Sequence, residues 1–552
     1  MPAKKPIFYD PNRKRWRRLR RTLDIAGVSI TIIIAVFAWT LVRGGQLPGL
    51  VLPESRRPYR PIVGKEHLKN LRPNKHRKTQ KAASSVVLNT DEGIRAAFYV
   101  NWDSASYSSL KEYAHQIDLL FPEWLHVTTP DGKLKGITPA NQLFDVINPE
   151  GKAQSVDDKV MPLLKAEKAA TEVFPLVNNY DPASGVWLAN IGDFLNNPQA
   201  RLTFRDQLVA FLDSGKFSGV SIDFEEIPPN AQPGLNALIT ELDQALRPAK
   251  RVYINVPVDD DDFNYKFLAA HTDGLILMAY DQHESESAPG PVAAQDWFVA
   301  NLRKALHQVP KEKIICAIGS YGYDWTTRPA KKGAKPTVSN VTNVSVQEAW
   351  LTSHDSESPI LFDPDSLNPH YAYEDEDNQR HDVWFLDGVT AFNQMGAARE
   401  LGVNTFALWR LGSEDRSLWN IWDQPSTTNP SKLDDLPPGQ DVDYEGSGEI
   451  IRVTGTPHDG VRSIVEDPKS RLITNEKIPA APTPYQVTQY GLTKKQVALT
   501  FDDGPDPRWT PKMLDILKEK NVKATFFLIG DVAEKNVGLM QRIYREGHEI
   551  GN

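Results

Sequence analysis

Eight short apolar segments, separated by helix-like stretches, run from about residue 92 to residue 424 of the 552-residue chain. Each has the length of a buried strand, and strands that alternate with helices favour a parallel sheet. Eight such units are the number that closes a parallel barrel. The predicted strands are Arg95–Val100, Ile117–Leu120 continuing to Val127, Glu172–Val177, Gly219–Glu225, Val252–Val256, Gly274–Tyr280, Lys313–Ile318 and Thr405–Trp409. The sequence therefore predicts an α/β fold, a (β/α)8 TIM barrel, over residues 92–424.

A long connection interrupts this pattern between the last two predicted strands, from about 325 to 385. Connections in compact domains are usually a few residues long, so this stretch predicts a small inserted α+β subdomain that walls a cleft. Its predicted strands are Ser339–Thr342, Ile360–Asp363 and His370–Glu374. Residues 425–485 are rich in Pro, Asp and Gly, which predicts an interdomain linker with some local structure.

The first ninety or so residues predict attachment to a membrane. Residues 1–24 form a basic tail, and residues 25–42 are apolar without a charge, which is close to the minimum length of a transmembrane helix. The arginines before this span predict a signal-anchor with a cytoplasmic N-terminus and extracytoplasmic domains, periplasmic or at the cell surface. A cleaved signal peptide is the alternative, but Arg43-Gly-Gly-Gln fits a cleavage site poorly. Residues 43–91 predict a flexible basic stalk, either a solvated spacer or a contact for anionic lipid or wall polymer.

Net charge limits the possible partners. The chain has a formal net charge of −8 although its N-terminal part is strongly basic, so the remainder is markedly acidic. An acidic folded region argues against nucleic acid as a partner. The single cysteine, Cys316, lies in an apolar segment and can form no disulfide within the chain.

The fourth predicted strand carries the strongest chemical signal. Side chains alternate across a strand, so Ser221, Asp223 and Glu225 share one face. The opposite face is apolar and suits a ring of helices; it consists of Val220, Ile222 and Phe224. The polar face then points into the barrel, and its last two acids lie at the carboxyl mouth, where barrel enzymes keep their chemistry. Adjacent carboxylates repel each other, which raises one pKa and suits acid-assisted cleavage of a glycosidic bond. The alternative is that acids here only cap the following helix, which fits Glu226 but leaves the inward alternation unexplained.

Two further strands bring candidate binding residues to the same mouth. In the segment Leu275-Ile-Leu-Met-Ala-Tyr-Asp281, alternation places Met278 and Tyr280 on one face, beside the carboxylates if Met278 lines the pore. A buried ring with a satisfied hydroxyl is the alternative for Tyr280. Trp409, on the last strand, offers a flat face to a pyranose, although a lone Trp is more often part of a core. The weaker candidates are Tyr99, Trp102 and Asn255.

These elements resemble glycoside hydrolase family 18, the chitinase-like family. There the fourth strand ends in an Asp-Gly-x-Asp-x-Asp-x-Glu series and the sixth in Met-x-Tyr-Asp. The resemblance implies that Glu225 is the proton donor and that Asp223 and Tyr280 hold the substrate acetamide. It also implies that Asp281 binds sugar hydroxyls and that Trp409 floors the sugar site.

The chain departs from that family pattern at two positions. Ser218 and Ser221 stand where the family usually has its two earlier acids, which weakens the charge buffering behind Asp223. A polar residue without charge at the inner position is also familiar from the spore-cortex and peptidoglycan-associated branch of the family. The final Asp-x-Glu pair is intact.

The mechanism that the resemblance implies is an exception among glycosidases, because the substrate's own N-acetyl oxygen attacks the anomeric carbon. It requires an N-acetylated sugar, so a β-linked N-acetylglucosamine polymer, chitin-like or peptidoglycan, is the expected substrate and partner. It requires no metal or organic cofactor. Two alternatives stay open: a barrel that binds glycan without cleaving it, and a scaffold for polysaccharide synthesis or export machinery.

Residues 486–552 contain a second acidic strand end. In Val497-Ala-Leu-Thr-Phe-Asp-Asp-Gly-Pro505, alternation predicts a strand with Val497, Leu499 and Phe501 buried, followed by paired acids at a turn. Together with Ala524-Thr-Phe-Phe527 and Gly547-His-Glu-Ile-Gly-Asn552, this segment resembles the start of a polysaccharide deacetylase domain.

The deacetylase resemblance implies roles for the two acids. Asp502 is then the general base and Asp503 a ligand of zinc or a similar divalent ion, which two histidines normally complete. The pattern stops before those histidines, and His548 precedes them and is expected to be structural. We therefore expect a truncated domain that binds metal weakly, with amide hydrolysis confined to a complete deacetylase domain.

Overall fold

The computed structural model describes residues 60–61, 93–182, 184–258, 260–328, 337–422, 430–439, 442–491 and 497–551. An eight-stranded parallel sheet closes on itself within them, with each strand paired to the next in chain order and the last paired to the first. The strands β1 to β8 are Arg95–Val100, Leu119–His126, Leu176–Asn178, Gly219–Asp223, Arg251–Pro257, Gly274–Met278, Ile314–Gly319 and Phe406–Trp409. The predicted TIM barrel is confirmed.

Helices follow the strands and surround the barrel. Helices α1 to α8 are Ser104–Tyr113, Val160–Ala166, Pro198–Gly215, Gln232–Leu246, Tyr265–His271, Gln295–Leu306, Gly388–Glu400 and Trp419–Trp422. Their starts follow from local sequence: Asn197 caps α3 before a proline at its first position, and Asp387 caps α7 in a capping box with Thr390. A short helix, Ile191–Leu195, precedes α3.

Two apolar clusters divide the barrel into an outside and an inside. The outer cluster joins strands to helices and includes Val220, Ile222 and Phe224 of the β4 segment. The inner cluster fills the barrel with residues such as Phe98, Phe121 and Ile276. β4 begins with Gly219, where a Cβ would lie 1.9 Å from the carbonyl oxygen of Arg251 on β5, so only glycine fits this close strand contact.

Small hairpins and an inserted subdomain extend the barrel. The hairpin strands are Lys135–Ile137 with Leu143–Asp145, and Tyr180–Asp181 with Val186–Trp187, and Glu172–Val173 adds to β2. Between β7 and α7 lies an antiparallel sheet whose strands are Gly322–Arg328, Thr337–Val344, Leu361–Phe362, Pro369–Glu374 and Arg380–Phe385, with Arg60–Pro61 at one edge. Helix Val346–Asp355 packs on it, in agreement with the predicted α+β insertion.

The stretch predicted as a linker is folded. Residues 430–491 contain a 3-10 turn at Pro430–Leu433 and two three-stranded sheets, with strands Asp435–Leu436, Gly460–Glu466 and Ile473–Ala480, and Val442–Gly446, Ile450–Gly455 and Tyr485–Tyr490. These strands bury only one face, so their composition is too polar to stand out among the Pro, Asp and Gly of the turns.

A buried arginine joins these sheets to the barrel. Arg462 is 2% exposed, and its guanidinium pairs with Asp387 at 3.3 Å, with Asp415, and with Glu476 at 2.6 Å. Removing one partner of such a buried network usually costs about 3–5 kcal/mol because the remaining charges stay buried. The β-module of residues 430–491 is therefore part of the folded unit.

Residues 497–551 form a small α/β element with a three-stranded parallel sheet. Its strands are Thr500–Gly504, Thr525–Leu528 and Glu549–Gly551, and its helices are Thr510–Lys520, Gly530–Lys535 and Val537–Arg545. The strand starts later than predicted, and Val497 and Leu499 are 93% and 40% exposed. Among the described residues, no apolar cluster includes these two side chains, which is why their alternation does not lead to burial.

The prediction of a single-pass membrane protein is contradicted. In the part of the chain that the structure describes, no helix has the length and apolar character needed to cross a bilayer. The predicted tail, span and stalk, residues 1–91, lie outside the described residues except for Arg60 and Pro61.

Candidate active site

Asp223 and Glu225 lie together at the carboxyl end of β4. Asp223 is the last residue of the strand and is 5% exposed, whereas Glu225 follows it at the mouth and is half-buried. The side chain of Asn179 fixes the backbone here: its Oδ1 accepts the Glu225 N–H at 2.8 Å, and its Nδ2 donates to the Glu225 carbonyl at 3.0 Å. The acid beyond the strand end is therefore held by β3 as well as by its own strand.

The inner face of β4 is polar, as its alternation predicts. Ser221 is fully buried and donates to Oδ1 of Asn255 on β5 at 3.2 Å. This bond uses the acceptor of the Asn255 amide, and the same side chain also hydrogen-bonds Asp223. Among the described residues, Asp223 Oδ1 has no hydrogen-bond partner. A buried carboxylate oxygen without a donor is costly, so this atom is available to a substrate N–H.

Burial raises the pKa of both carboxyls, and repulsion by neighbouring acids raises that of Glu225 further. Burial raises the pKa of Asp223 to about 6, and the hydrogen bond from Asn255 partly offsets that effect. The pKa of Glu225 is raised well above its ordinary value, first by burial and then by the charges of Asp223 and Asp281. The two groups titrate as a pair, and the pair can hold one proton near neutral pH. This arrangement suits a proton donor beside an anion.

Aromatic side chains form the adjacent wall. Tyr280 follows β6, is 8% exposed and stacks on Trp409 with ring centroids 6.5 Å apart and planes 24° apart. Met278 packs against the inner cluster, in which Tyr280 also lies. Alternation along the β6 segment therefore predicts the inward positions of Met278 and Tyr280 correctly. Burial keeps the pKa of the Tyr280 phenol well above its usual value, so the hydroxyl is a hydrogen-bond donor.

Asp281 is open to solvent and is held by two phenols that sequence analysis missed. Tyr323 donates to its Oδ1 at 2.9 Å, and Tyr321 donates to the same oxygen. Asp281 itself has a left-handed backbone, with φ of 63°. Both tyrosines follow β7 at the start of the insertion, and no spacing in the sequence connects them to β6.

The structure does not bring Tyr99 to the other candidates. It belongs to the outer cluster with Ala97, and its hydroxyl donates to Asp157 at 3.1 Å. Trp102 is 40% exposed, with the Arg410 guanidinium 4.5 Å from its ring centroid.

A further acid at this end of the barrel, Glu123 on β2, was not predicted. It is 9% exposed and accepts a hydrogen bond from Asn178 on β3 at 3.1 Å. A single Glu in an otherwise apolar strand is the sequence signal that could have identified it.

The second acidic strand end is more open. Asp502 and Asp503 are exposed in a depression that they line with Thr500 and residues 527–530. His548 is buried, and its Nδ1 accepts the Ala524 N–H at 3.2 Å, so it contacts the sheet backbone. The described residues contain no group of three His, Cys, Asp or Glu side chains that could hold a metal ion. Two adjacent carboxylates do not match the ligand set of a zinc site.

The fold and the first site together define a class: a closed (β/α)8 barrel with a carboxylate pair and aromatic rings at the carboxyl ends of its strands. The chain belongs to glycosyl hydrolases family 18, whose family model matches residues 97–414, more than half of the chain. The polysaccharide deacetylase model matches residues 489–552.

Individual relatives agree with both assignments. The chain is 23% identical over 332 residues to an uncharacterized glycosylase of Bacillus subtilis, covering 58% of this chain and 88% of that protein. Over 59 residues it is 64% identical to a peptidoglycan-N-acetylglucosamine deacetylase of Bacillus cereus, covering 11% of this chain and only 22% of that enzyme. The crystal structure of a chitinase from Chromobacterium violaceum superposes with a TM-score of 0.52 at 22% identity, covering 61% of this chain and all of that one. This last similarity concerns the fold alone.

Proposed function

We propose that the barrel hydrolyses β-linked N-acetylglucosamine polymers by a retaining mechanism in which the substrate's acetamide is the nucleophile. The observation that carries the proposal is the unpartnered Oδ1 of Asp223, buried beside the raised-pKa carboxyl of Glu225. An acetamide N–H is the neutral donor that such an oxygen lacks. Family membership supports the same mechanism, and no metal or organic cofactor enters it.

In the first step, Glu225 gives its proton to the glycosidic oxygen as the bond from that oxygen to the anomeric carbon breaks. The acetamide oxygen of the same sugar attacks the anomeric carbon and forms an oxazolinium ring. Asp223 accepts the acetamide N–H and stabilises the positive charge of the ring, and the Tyr280 hydroxyl helps to hold the acetamide. Glu225 leaves this step as a carboxylate.

In the second step, that carboxylate takes a proton from water as the water oxygen attacks the anomeric carbon. The ring opens, the acetamide is restored and Glu225 regains its proton, so the product keeps the β configuration. The remaining residues bind the sugar: Trp409 offers its ring face, Met278 packs beside it, and the solvent-facing carboxylate of Asp281 is oriented by two phenols toward sugar hydroxyls.

The substrate class follows from this mechanism and from the relatives. Because the acetamide reacts, the sugar at the cleavage position must be N-acetylated. One relative is named for peptidoglycan and one structural neighbour is a chitinase, so peptidoglycan and chitin are the two candidate substrates. From the residues that resemble a deacetylase we infer that one glycan is the substrate of both activities, with Asp502 as general base and Asp503 as one ligand of a metal that further side chains would have to complete.

The test is hydrolysis by the full chain of N-acetylated chitooligosaccharide, a fully deacetylated oligomer and peptidoglycan glycan strands. Glu225→Gln keeps the shape of the acid but cannot donate its proton, and Glu226→Gln is the matched control because Glu226 is the exposed neighbour. We expect cleavage of acetylated substrates by the wild type and Glu226→Gln, and loss of about 10²–10⁴-fold in Glu225→Gln. A product that is initially β, by proton NMR, confirms retention.

Two results would contradict the proposal. Equal binding of the acetylated oligomer by wild type and Glu225→Gln without cleavage by either makes the barrel a glycan-binding module. The replacement of acids by Ser218 and Ser221 favours that second candidate. Absence of both binding and cleavage favours a scaffold for polysaccharide synthesis or export.

A further inference from the structure

β4 provides no charge behind Asp223, but β2 does. The inward position before Asp223 on β4 is Ser221, whose hydroxyl is used by Asn255. Glu123 lies two strands away, on the same face of β2 as Leu119 and Phe121 of the inner cluster. Its carboxyl is thus part of the barrel interior and not of the helix-facing side.

A β-bulge directs this acid. In the pairing of β2 with β3, Glu123 is opposite Leu176 and Leu125 is opposite Val177, so Trp124 is the extra residue. Bulges commonly occur beside active sites, where they redirect a neighbouring side chain. Trp124 packs in the outer cluster, and Glu123 keeps its inward direction at the last position before the register changes.

Asn178 connects Glu123 to the pair on β4. Its amide donates to Glu123 Oε1 at 3.1 Å, and in the β3–β4 register Asn178 is directly opposite Asp223. The charged groups that act on Glu123 are Asp223 on β4 and Arg410 after β8, and Glu123 in turn acts on Glu225. Arg410 is shared, because its guanidinium also pairs with Asp103 at 2.6 Å.

We infer that Glu123 is a positioning residue of this site: a further carboxylate whose charge, together with those of Asp223, Asp281 and Glu226, sets the pH range in which Glu225 holds its proton. The inference rests on the proposed function, since it concerns the same reaction. Glu123 need not touch the substrate. Burial raises its own pKa to about 7, close to the range in which the pair must work. A purely structural alternative is a buried acid whose only role is to bind Asn178.

The test compares the pH profiles of kcat/KM for the full-length wild type, Glu123→Gln and Glu414→Gln on N-acetylated chitooligosaccharide. Glu414 is the matched control, a buried acid bound by Trp419 at 3.0 Å and by Ser109 on the helix side. Removing the negative charge of Glu123 makes it easier to ionise Glu225. We therefore expect the alkaline limb of the Glu123→Gln profile, where Glu225 loses its proton, to move to lower pH by about one unit, the usual size for a close like charge. The acid limb is expected to move little, because Glu123, with a pKa of about 7, is largely protonated where Asp223 titrates.

In Glu414→Gln both limbs are expected to stay in place, even if that variant is less stable. Glu123→Asp keeps the charge and is expected to keep limbs close to those of the wild type, which separates charge from packing. An alkaline limb that does not move in Glu123→Gln, or that moves equally in both Gln variants, overturns the inference and leaves Glu123 with a structural role.

A measurement without substrate distinguishes failure of this inference from failure of the proposed function. In a double-mutant cycle of unfolding between Glu123→Gln and Glu225→Gln, the two effects are expected to be additive at pH 5, where both acids are protonated and do not repel each other. They are expected to be non-additive at a pH high enough to ionise both acids. Non-additivity at the higher pH without any glycan cleavage supports the charge coupling and refutes hydrolysis. Additivity at both pH values refutes the coupling whether or not the barrel cleaves glycan.

Discussion

Two pairs of acids lie at the carboxyl ends of parallel strands in this chain, and their surroundings differ. Asp223 and Glu225 lie in a closed barrel, where Asn179, Asn255 and Tyr280 surround them. Asp502 and Asp503 lie near the end of an edge strand of a three-stranded sheet and are exposed to solvent. The local sequence is similar in kind: alternating residues that end in acids at a turn.

The difference shows what converts a carboxylate pair into a candidate acid and base. In the barrel, burial and repulsion give the two carboxyls different pKa values, so that one can hold a proton while the other is an anion. Exposed acids keep their water and need a metal or other ligands to acquire a special role.

The largest effect is expected from Asp223→Asn. The amide cannot supply the negative charge that stabilises the oxazolinium ring, so kcat should fall about 10²–10³-fold, as for the loss of one preorganised stabilising group. KM for N-acetylated chitooligosaccharide should change much less. Steady-state kinetics of the full chain measure both quantities. Asp502→Asn is the control from the other pair. Equal losses of kcat in the two variants would show that the buried and the exposed pair do not differ in function.

The same substitution has a predicted effect on stability. The pKa of Asp223 is raised on folding from an ordinary value of 3.8 to about 6, so its ionised form destabilises the fold. This penalty is absent below about pH 4 and complete above about pH 6, where it amounts to roughly 2–3 kcal/mol. Asp223→Asn should therefore unfold at a higher denaturant concentration than wild type at pH 8. The advantage should disappear at pH 4.

Denaturant unfolding monitored at both pH values checks the prediction. Asp502→Asn, in the exposed pair, is again the control. A stability gain of Asp223→Asn that is equal at both pH values would show that hydrogen bonding or packing, and not ionisation, determines the effect.

The barrel and the acid pair were predictable from the sequence because both follow from the alternation of side chains between the two faces of a strand. Val220 and Ile222 point outward while Ser221 and Asp223 point inward, and only this phase puts apolar residues against helices. For β1 the sequence did not show which face points into the barrel, since both faces of Arg95–Val100 are apolar. Tyr99 was therefore expected at the cleft, whereas Ala96 and Phe98 are the inward residues.

Other parts of the site depend on contacts that sequence spacing does not encode. Tyr321 and Tyr323 reach Asp281 because the insertion starts directly after β7, next to β6. Glu123 was overlooked because one acid in an apolar strand has no partner within its own segment. The β-module was expected to be a linker, because the charges that hold it, such as Arg462, are paired only in three dimensions.

A smaller effect is expected when one phenol that orients Asp281 is removed. Tyr323→Phe loses a hydrogen bond of 2.9 Å to the carboxylate but leaves the bond from Tyr321. We expect KM to rise about fivefold with little change in kcat, which corresponds to roughly 1 kcal/mol, a typical net value for one hydrogen bond. The matched control is Tyr373→Phe, which removes a phenol bonded at 2.6 Å to Asp324 elsewhere in the insertion. An equal rise of KM in both variants would indicate a general effect on the insertion.

The smallest effect is expected at the second pair. Two adjacent carboxylates supply too few ligands for tight zinc binding, and the described residues add no third side chain. Calorimetric titration of the full chain with zinc should therefore give the same heats for wild type and for a variant that combines Asp502→Asn with Asp503→Asn. A binding heat that disappears in the variant would show that these acids find further ligands in solution. In that case exposure alone would not separate the two pairs, and the metal would do for Asp502 and Asp503 what burial does for Asp223 and Glu225.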